Sequence, residues 1–271
     1  LEFSRVLFRS KKLNGQISSV NIKNLSFSYK NKKSVLKHIN ISLQKGEKVA
    51  LVGPNGSGKS TLIKILAGLY EIKSGDILIN DISLKDIDIE DYYAKISVLF
   101  QDFVKYELTL QENIGFGDMK KFYSTENMKS VLDKLQATFL KRDEGYDFSM
   151  QLGNWFEEGQ QLSQGQWQKV ALARAYFKDA SIYILDEPNA ALDTVSEKEI
   201  FEKFFEISRE KIGIFISHRL SAAKMADKII VMDKGEIVGI GNHNELLKNC
   251  PTYQILYQAE MYENKEEYNY E

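Results

Sequence analysis

The chain has 271 residues, 43% hydrophobic and 27% charged, which is ordinary for a folded protein and enough for one large or two modest domains. Its formal net charge of −2 gives no electrostatic reason for nucleic acid or an anionic membrane to be the main partner, so we expect no nucleic-acid partner. The single cysteine, Cys250, excludes an internal disulfide framework, and no apolar run approaches the roughly 18 residues of a membrane-spanning helix.

The chain begins with LEFSRVLFRS, which has neither strand nor helix periodicity and closely resembles a translated sequencing-library adapter. We therefore expect residues 1–10 to be a non-native leader and residues 11–16 to be a linker. The alternative is that the first stretch is a genuine interdomain segment. Neither stretch enters the fold prediction.

The segment 17–43 contains short runs of alternating and β-branched residues, which predict antiparallel strands. After a turn at Gly46, the unbroken apolar run Val49–Val52 predicts a strand buried in a parallel sheet. The sequence STLIKILAGLY then has a helical period, and SGDILIND predicts a turn followed by a strand.

Residues 102–174 are mostly polar with helical spacing, apart from a loop at Gly153–Gln161, and predict an inserted α-helical subdomain. Beyond it, SIYILDE predicts another buried strand, the segment 195–209 predicts a helix, and KIGIFISH, DKIIVMDKG and EIVGIG predict three more strands. Residues 257–271 form a charged C-terminal tail whose last part we expect to be frayed.

The sequence LVGPNGSGKST is the strongest local signal, because Gly53-x-x-x-x-Gly58-Lys59-Ser60 matches the phosphate-binding P-loop and lies between a buried strand and a helix. Its glycines let backbone N–H groups curl around an anion, the helix N-terminus adds partial positive charge, and Lys59 reaches the terminal phosphates. The predicted nucleotide-binding residues are Gly53, Pro54, Asn55, Gly56, Ser57, Gly58, Lys59, Ser60 and Thr61. The fold expected is α/β, a P-loop NTPase core with a mixed sheet, an antiparallel β-subdomain and the helical insert.

An acidic pair follows the later buried strand, in IYILDEP. Asp186 ends the strand and so lies at the carboxyl edge of the sheet, where together with the Ser60 hydroxyl it can ligate Mg²⁺. Glu187 follows immediately and can polarise an attacking water. Such a pair alone is usually solvated surface; the P-loop upstream in the same sheet favours the functional interpretation.

The polar stretch QQLSQGQWQ at 160–168 leads into an apolar helix. One interpretation is structural: Ser163 is an N-cap, and Ser163-x-x-Gln166 forms a capping box. The other is functional, because a serine hydroxyl, the nearby N–H groups and the helix dipole form an anion site that needs no lysine.

The order of these motifs resembles the nucleotide-binding domain of ATP-binding-cassette (ABC) transporters over about Ile17–Leu256. Tyr29 in LSFSYK matches the aromatic residue that stacks on adenine, and Gln101 in VLFQDF matches the glutamine that approaches Mg²⁺ and water. LSQGQ at 162–166 resembles the family signature, NAALD at 189–193 the D-loop, and His218 in ISHRLS the switch histidine. Taken singly, each of these could be an ordinary structural residue; the family order favours the site.

The resemblance implies ATP hydrolysis with Mg²⁺ by two head-to-tail domains that sandwich two ATP molecules. Glu187 would be the general base, Lys59 would offset phosphoryl charge, and His218 would contact the γ-phosphate. The signature would act on the nucleotide held by the second domain, in a homodimer or heterodimer. The residues implied for that side of the site are Ser163, Gly165, Gln166 and Asp193.

Two positions depart from the family pattern. Gln164 stands where glycine is usual, and Ala190 replaces the common D-loop serine. Gln164 should not remove the contacts of Ser163 or Gly165 unless its position needs a positive φ. The loss of one hydroxyl at Ala190 implies a modest effect on coupling between the two domains.

The chain's two ends resemble those of exporter-type half-transporters, and two internal stretches resemble bacterial exporters of ribosomal peptides, including lantibiotics. The resemblance therefore implies an ATPase domain at the cytoplasmic face of the plasma membrane, with a transmembrane domain upstream on the native chain. The alternatives are the separate ATPase subunit of an importer, a soluble ABC protein acting on ribosomes or DNA, and a regulatory module without turnover.

Overall fold

The structure is a computed structural model that describes residues 11–30, 33–188, 194–217 and 219–267. Its strands are β1 (Ser19–Ser28), β2 (Ser34–Gln44), β3 (Lys48–Val52), β4 (Ser74–Ile79), β5 (Ile82–Ser83), β6 (Ile96–Leu99), β7 (Lys141–Arg142), β8 (Gly145–Tyr146), β9 (Ile182–Asp186), β10 (Ile212–Ile216), β11 (Lys228–Asp233) and β12 (Glu236–Gly241). Its α-helices are α1 (Lys59–Leu66), α2 (Ile89–Tyr93), α3 (Leu110–Gly115), α4 (Thr125–Lys134), α5 (Gln164–Phe177), α6 (Thr194–Ile207), α7 (Leu220–Ala223), α8 (His243–Asn249) and α9 (Pro251–Glu267).

The first of two compact units runs up to Ile96 and is completed by Ser181–Glu187 and by the chain from Ser208 onward. Five of its strands are neighbours in the main sheet, in the order β12-β11-β3-β10-β9. β3 pairs in parallel with both β10 and β11, and β10 pairs in parallel with β9, whereas β12 runs antiparallel to β11. The sheet is therefore mixed, as predicted.

The core of this unit lies along the central strands. Every residue of β3, β9 and β10 is buried, which is what continuous apolar runs in a sheet covered on both faces require. The helix α1 buries Leu62, Ile63, Ile65 and Leu66 among its residues. The predicted buried strands and the predicted helix after the P-loop are thus confirmed.

A second sheet in this unit has the order β2-β1-β4-β5. β1 runs antiparallel to both β2 and β4, with Val20 opposite Leu43 and Ile79. Buried residues alternate with less buried ones in part of each strand, because one face of the sheet packs inward. This sheet is the antiparallel β-subdomain predicted from residues 17–43.

The segment expected to be a linker packs against the first unit. Leu13 is buried, and its N–H donates to Asp91 Oδ2 at 3.2 Å. The N–H of Lys11 donates to the carbonyl of Asp86 at 3.2 Å. These contacts involve residues 11–13, ahead of the first predicted strand.

The helix α9 continues past Leu256 to Glu267, so the first part of the charged tail is helical. The expectation that its last part is frayed stays a prediction. Specific contacts hold the helix in place. Tyr257 packs against the His243 ring at 5.4 Å and beneath the Lys224 ammonium at 4.6 Å, and the Glu260 carboxylate accepts the N–H of Leu220 at 2.9 Å. The charged composition of the segment could not predict these contacts, because composition gives only the average polarity of a segment.

The second unit comprises Ser97–Ala180 and Pro188–Ile207 where described, and holds α3, α4, α5 and α6. Arg174 of α5 links this helix to α3: its Nε donates to the carbonyl of Asn113 at 2.8 Å, and its guanidinium lies 4.4 Å from the Tyr106 ring centroid. Burial lowers the pKa of Arg174, against the influence of Tyr106. These contacts join α5 to α3 within the insert.

The loop predicted at Gly153–Gln161 is organised by Glu107, whose Oε2 accepts the N–H groups of Asn154 and Trp155 at 2.8 Å each. Trp155 itself is 83% exposed. Within the described ranges, none of the helices combines the length and the apolar character needed to cross a bilayer.

Candidate functional site

The P-loop connects the end of β3 to the start of α1, the position expected from the sequence. Gly53 has φ 146°, and a Cβ there would lie 2.1 Å from the carbonyl oxygen of Met232 in β11. Gly58 has φ 106°, and a Cβ there would lie 2.7 Å from the Leu36 side chain. Both glycines are therefore required by the conformation of the loop and by its packing against neighbouring strands.

The N-terminus of α1 has no side-chain cap, and no acidic residue occupies its first turn. The first intrahelical bond runs from Leu62 N–H to the Gly58 carbonyl at 2.9 Å. The amides of Lys59, Ser60 and Thr61 therefore have no acceptor within the helix. Together with the helix dipole they form a site suited to an anion.

Two buried side chains of the loop also fit a phosphate group. Lys59 Nζ donates to the carbonyls of Gly53 at 2.7 Å and Pro54 at 3.2 Å, so the ammonium is held against the loop. Burial lowers the pKa of Lys59, while the carboxylates of Glu187 and Asp186 oppose this shift. Ser57 is 2% exposed, and its Oγ has no hydrogen-bond partner among the described residues. Such an unsatisfied buried hydroxyl is suited to a ligand oxygen.

Asp186 lies beside the P-loop, as predicted. It ends β9 with 4% of its surface exposed, and its Oδ1 accepts the Ser60 hydroxyl at 3.4 Å. Burial, followed by the neighbouring Glu187 carboxylate, raises the pKa of Asp186 to about 6, although the Ser60 hydrogen bond opposes the shift. One hydroxyl and one carboxylate beside a phosphate loop are oxygen donors of the kind Mg²⁺ takes.

No group of three or more His, Cys, Asp or Glu side chains within the described ranges could hold a metal ion by itself. A magnesium site of the P-loop kind does not need such a group, because the nucleotide phosphates supply the remaining ligands with water. The pair Ser60 and Asp186 therefore fits a magnesium ion that arrives with a nucleotide.

Glu187 has an unusual backbone conformation. Its φ is 50°, in the left-handed region that non-glycine residues seldom adopt, and its N–H donates to the Ile216 carbonyl at 3.2 Å. Strained residues of this kind persist when the surrounding structure fixes them, and they cluster at functional sites. The conformation directs the chain away from β9 one residue after Asp186.

Tyr29 lies beside α1. Its hydroxyl is 3.1 Å from Thr61 Oγ1, and its ring packs edge to face with Phe27 at 5.0 Å and with Tyr70 at 5.4 Å. The pairing with Phe27 could have been predicted, because residues two apart on an extended chain share a face. Tyr70, beyond the end of α1, gave no such signal and was missed.

The signature residues lie in the second unit, at the N-terminus of α5. Ser163 caps the helix: its Oγ accepts Gln166 N–H at 3.3 Å, and Gln166 Oε1 accepts Ser163 N–H at 2.9 Å. The capping box is therefore confirmed. Gly165 lies in the first turn, and Gln164 Oε1 accepts a hydrogen bond from Lys105 Nζ, a partner that the sequence did not indicate.

Gln101 also belongs to the second unit, where it is exposed in the turn directly after β6. The structure thus brings Tyr29, the P-loop, Asp186 and Glu187 together in the first unit, and Ser163, Gly165 and Gln166 together in the second. The D-loop at 189–193, which includes Ala190 and Asp193, and the residue His218 lie outside the described residues.

Comparison with known proteins places this geometry in context. The family model for the ABC transporter matches residues 36–190. The chain is 62% identical over 249 residues to the subtilin transport ATP-binding protein SpaT of Bacillus subtilis, covering 92% of this chain and 41% of that protein. It is 53% identical over 255 residues to the nisin transport ATP-binding protein NisT of Lactococcus lactis subsp. lactis, covering 94% of this chain and 42% of that protein.

A solved structure of a bacterial Atm1-family ABC exporter with ATP bound superposes with a TM-score of 0.80 at 28% sequence identity. The match covers 92% of this chain and 44% of that one. The chain therefore spans about two fifths of the length of the curated relatives it matches.

Proposed function

This chain belongs to the ABC transporter family, and from that premise we propose that it binds ATP with Mg²⁺ and hydrolyses it to drive an exporter. One observation carries the proposal: Ser60 Oγ and Asp186 Oδ1 approach to 3.4 Å, so the P-loop and the acidic end of β9 adjoin. The same sheet edge thus offers donors for phosphate and oxygen ligands for a cation, which is what nucleotide hydrolysis requires.

Each site residue that the first unit contributes has a role in this proposal. The P-loop amides and Lys59 hold the phosphates, and Ser60 and Asp186 hold Mg²⁺, which when bound would neutralise charge on the phosphate oxygens. Glu187 orients the attacking water and accepts its proton. The ring of Tyr29 supports the adenine base.

The remaining roles are proposed from the motif matches. Gln101 approaches the cation and the water, and His218 contacts the γ-phosphate. Ser163, Gly165, Gln166 and Asp193 act on nucleotide held by a second nucleotide-binding domain. The capping geometry supports this role for Ser163, because its Oγ accepts from Gln166 while the hydroxyl proton stays available to a phosphate oxygen.

We propose a peptide of the lantibiotic class as the exported cargo. The relatives named for subtilin and nisin transport are 62% and 53% identical to this chain, whereas the lipid A-core flippase 2 of Colwellia psychrerythraea (strain 34H / ATCC BAA-681) is 36% identical. The longer relatives support a transmembrane partner, with this domain at the cytoplasmic face of the plasma membrane.

The variant Glu187→Gln tests the enzymatic part of the proposal. Removing the base while keeping a similar shape should leave MgATP binding intact and lower kcat by at least about a hundredfold. Phosphate release and equilibrium binding of a fluorescent ATP analogue, measured on the same preparations, separate these two effects.

The matched control is Glu199→Gln, which changes an exposed glutamate of α6 outside the proposed site. We expect wild-type binding and turnover from it. Hydrolysis by Glu187→Gln at the wild-type rate would refute the assignment of the base, and failure of the wild-type chain to bind MgATP would refute the proposed function.

A further inference from the structure

The hydroxyl of Tyr29 contacts the phosphate-binding loop directly. Its oxygen lies 3.1 Å from Thr61 Oγ1, and either oxygen can donate this hydrogen bond. Thr61 is 9% exposed and lies in the first turn of α1, next to Ser60. One side chain therefore reaches from the proposed base-binding surface to the proposed phosphate site.

The Tyr29 ring is held by two aromatic neighbours. The ring centroids of Phe27 and Tyr70 lie 5.3 Å apart. Each of these rings makes an edge-to-face contact with the Tyr29 ring, at an interplanar angle of 86°. Arrangements of this kind are favourable for aromatic rings and limit their rotation. The Tyr29 hydroxyl is thus directed at Thr61 by packing as well as by the hydrogen bond.

We propose that Tyr29 is also a positioning residue for the phosphates, because its phenol donates to Thr61 Oγ1 and directs the Thr61 hydroxyl proton towards the phosphate oxygens. A hydroxyl has one proton and two lone pairs, so Thr61 can accept from Tyr29 and still donate to a phosphate. This inference rests on the proposed function. It goes beyond the stacking role of the ring by coupling triphosphate binding to the phenol oxygen.

The two roles of Tyr29 make different predictions for Tyr29→Phe. This variant keeps the ring and loses only the hydroxyl. If the side chain served the base alone, binding of inorganic triphosphate, which has no base, would be unaffected. If the phenol orients Thr61, the variant should bind both ATP and inorganic triphosphate about three- to tenfold more weakly, the effect of one lost hydrogen bond.

The experiment measures binding of ATP and of inorganic triphosphate, each with Mg²⁺, to the full 271-residue chain by competition with a fluorescent nucleotide. It compares the wild type with Tyr29→Phe, Thr61→Val and the double variant. In the double-mutant cycle Tyr29→Phe should have no further effect once Thr61 is valine, because the hydroxyl it orients is gone. Serine at position 61 keeps a hydroxyl. In a Thr61→Ser background, Tyr29→Phe should therefore again weaken the binding of ATP and of inorganic triphosphate.

The control is Tyr93→Phe, which removes a phenol that donates to the Gly68 carbonyl at 3.2 Å, beyond the other end of α1. Its affinity for both probes should equal that of the wild type. Equal triphosphate affinity in Tyr29→Phe and wild type, or additive effects in the cycle, would overturn the coupling while leaving ATP binding in place. A wild-type chain that bound neither probe would overturn the proposed function and this inference with it.

Discussion

Asp186 and Glu187 are adjacent acidic residues in different environments. Asp186 is 4% exposed at the end of β9 and shares a hydrogen bond with Ser60, whereas Glu187 is half-buried and has a left-handed backbone. Two neighbouring carboxylates with distinct surroundings can divide the work of binding a cation and accepting a proton. The sequence predicted the pair and its place on the strand; the backbone of Glu187 depends on tertiary contacts and could not be predicted.

The raised pKa of Asp186 makes stability depend on pH. Because its pKa rises from 3.8 to about 6 on folding, its contribution is fully present below pH 3.8 and is lost as the pH rises through about 6. Without nucleotide or Mg²⁺, the wild type should lose up to about 3 kcal/mol of unfolding free energy across this window relative to Asp186→Asn. Urea unfolding of both proteins between pH 4 and 7 measures the difference; parallel profiles would contradict it.

The P-loop glycines should differ in their tolerance of alanine. At Gly53 an added Cβ would meet a backbone oxygen at 2.1 Å, whereas at Gly56 (φ 77°) it would meet nothing within 4 Å. Gly53→Ala should cost about 3 kcal/mol or more of unfolding free energy, and Gly56→Ala, which bears only the strain of a positive φ, about 1 kcal/mol. Chemical denaturation of the two variants tests the order, and equal losses would show that the Met232 contact does not limit the loop.

At the scale of elements, the helix α9 supports a helix far from it in sequence. The Glu260 carboxylate accepts the N–H groups of Leu220 and Ser221 at 2.9 and 3.3 Å, whereas Arg219, the N-cap residue of α7, provides no side-chain cap. The cap of α7 is thus supplied by α9. A local reading of the sequence cannot find such a cap, because capping signals are sought within a few residues of the helix start.

Glu260→Ala should therefore destabilise the first unit by about 1 kcal/mol, the usual cost of a lost helix cap. Glu260→Gln keeps an oxygen acceptor and should cost less. Hydrogen exchange at Leu220 and Ser221 gives a local readout, and their amides should exchange faster in the alanine variant. Unchanged protection in Glu260→Ala would mean that the contact contributes nothing to α7.

At the scale of the whole molecule, the proposal that each site is shared between two copies of this chain can be tested by mixing variants. Lys59→Ala and Ser163→Ala homodimers should each be inactive, because every site then lacks either the lysine or the opposing serine. Mixing the two variants should restore about one quarter of wild-type ATPase activity, because half the dimers are mixed and each has one intact site. Absence of recovery in a mixture shown to contain mixed dimers would refute a site shared between two copies of this chain.

The sequence predicted most of the fold because its main signals are local. Each of these signals depends on a few consecutive residues: the P-loop, the apolar runs of β3, β9 and β10, and the Ser163 capping box. The contacts that the sequence did not predict join distant segments. Examples are the contact of Tyr29 with Tyr70 and the contact of Glu260 with α7. Their positions depend on how the sheets and helices pack, which no periodicity specifies.

The position of β3 has a consequence for synthesis on the ribosome. Within this domain, β3 is made more than a hundred residues before its two neighbours in the sheet, β10 and β11, whose Ile216 and Ile230 pair with Leu51. A nascent chain therefore exposes both edges of an apolar strand until nearly all of the domain has emerged, a topology that slows folding and invites aggregation. Chaperone binding to ribosome-held chains should consequently persist until β11 has left the exit tunnel.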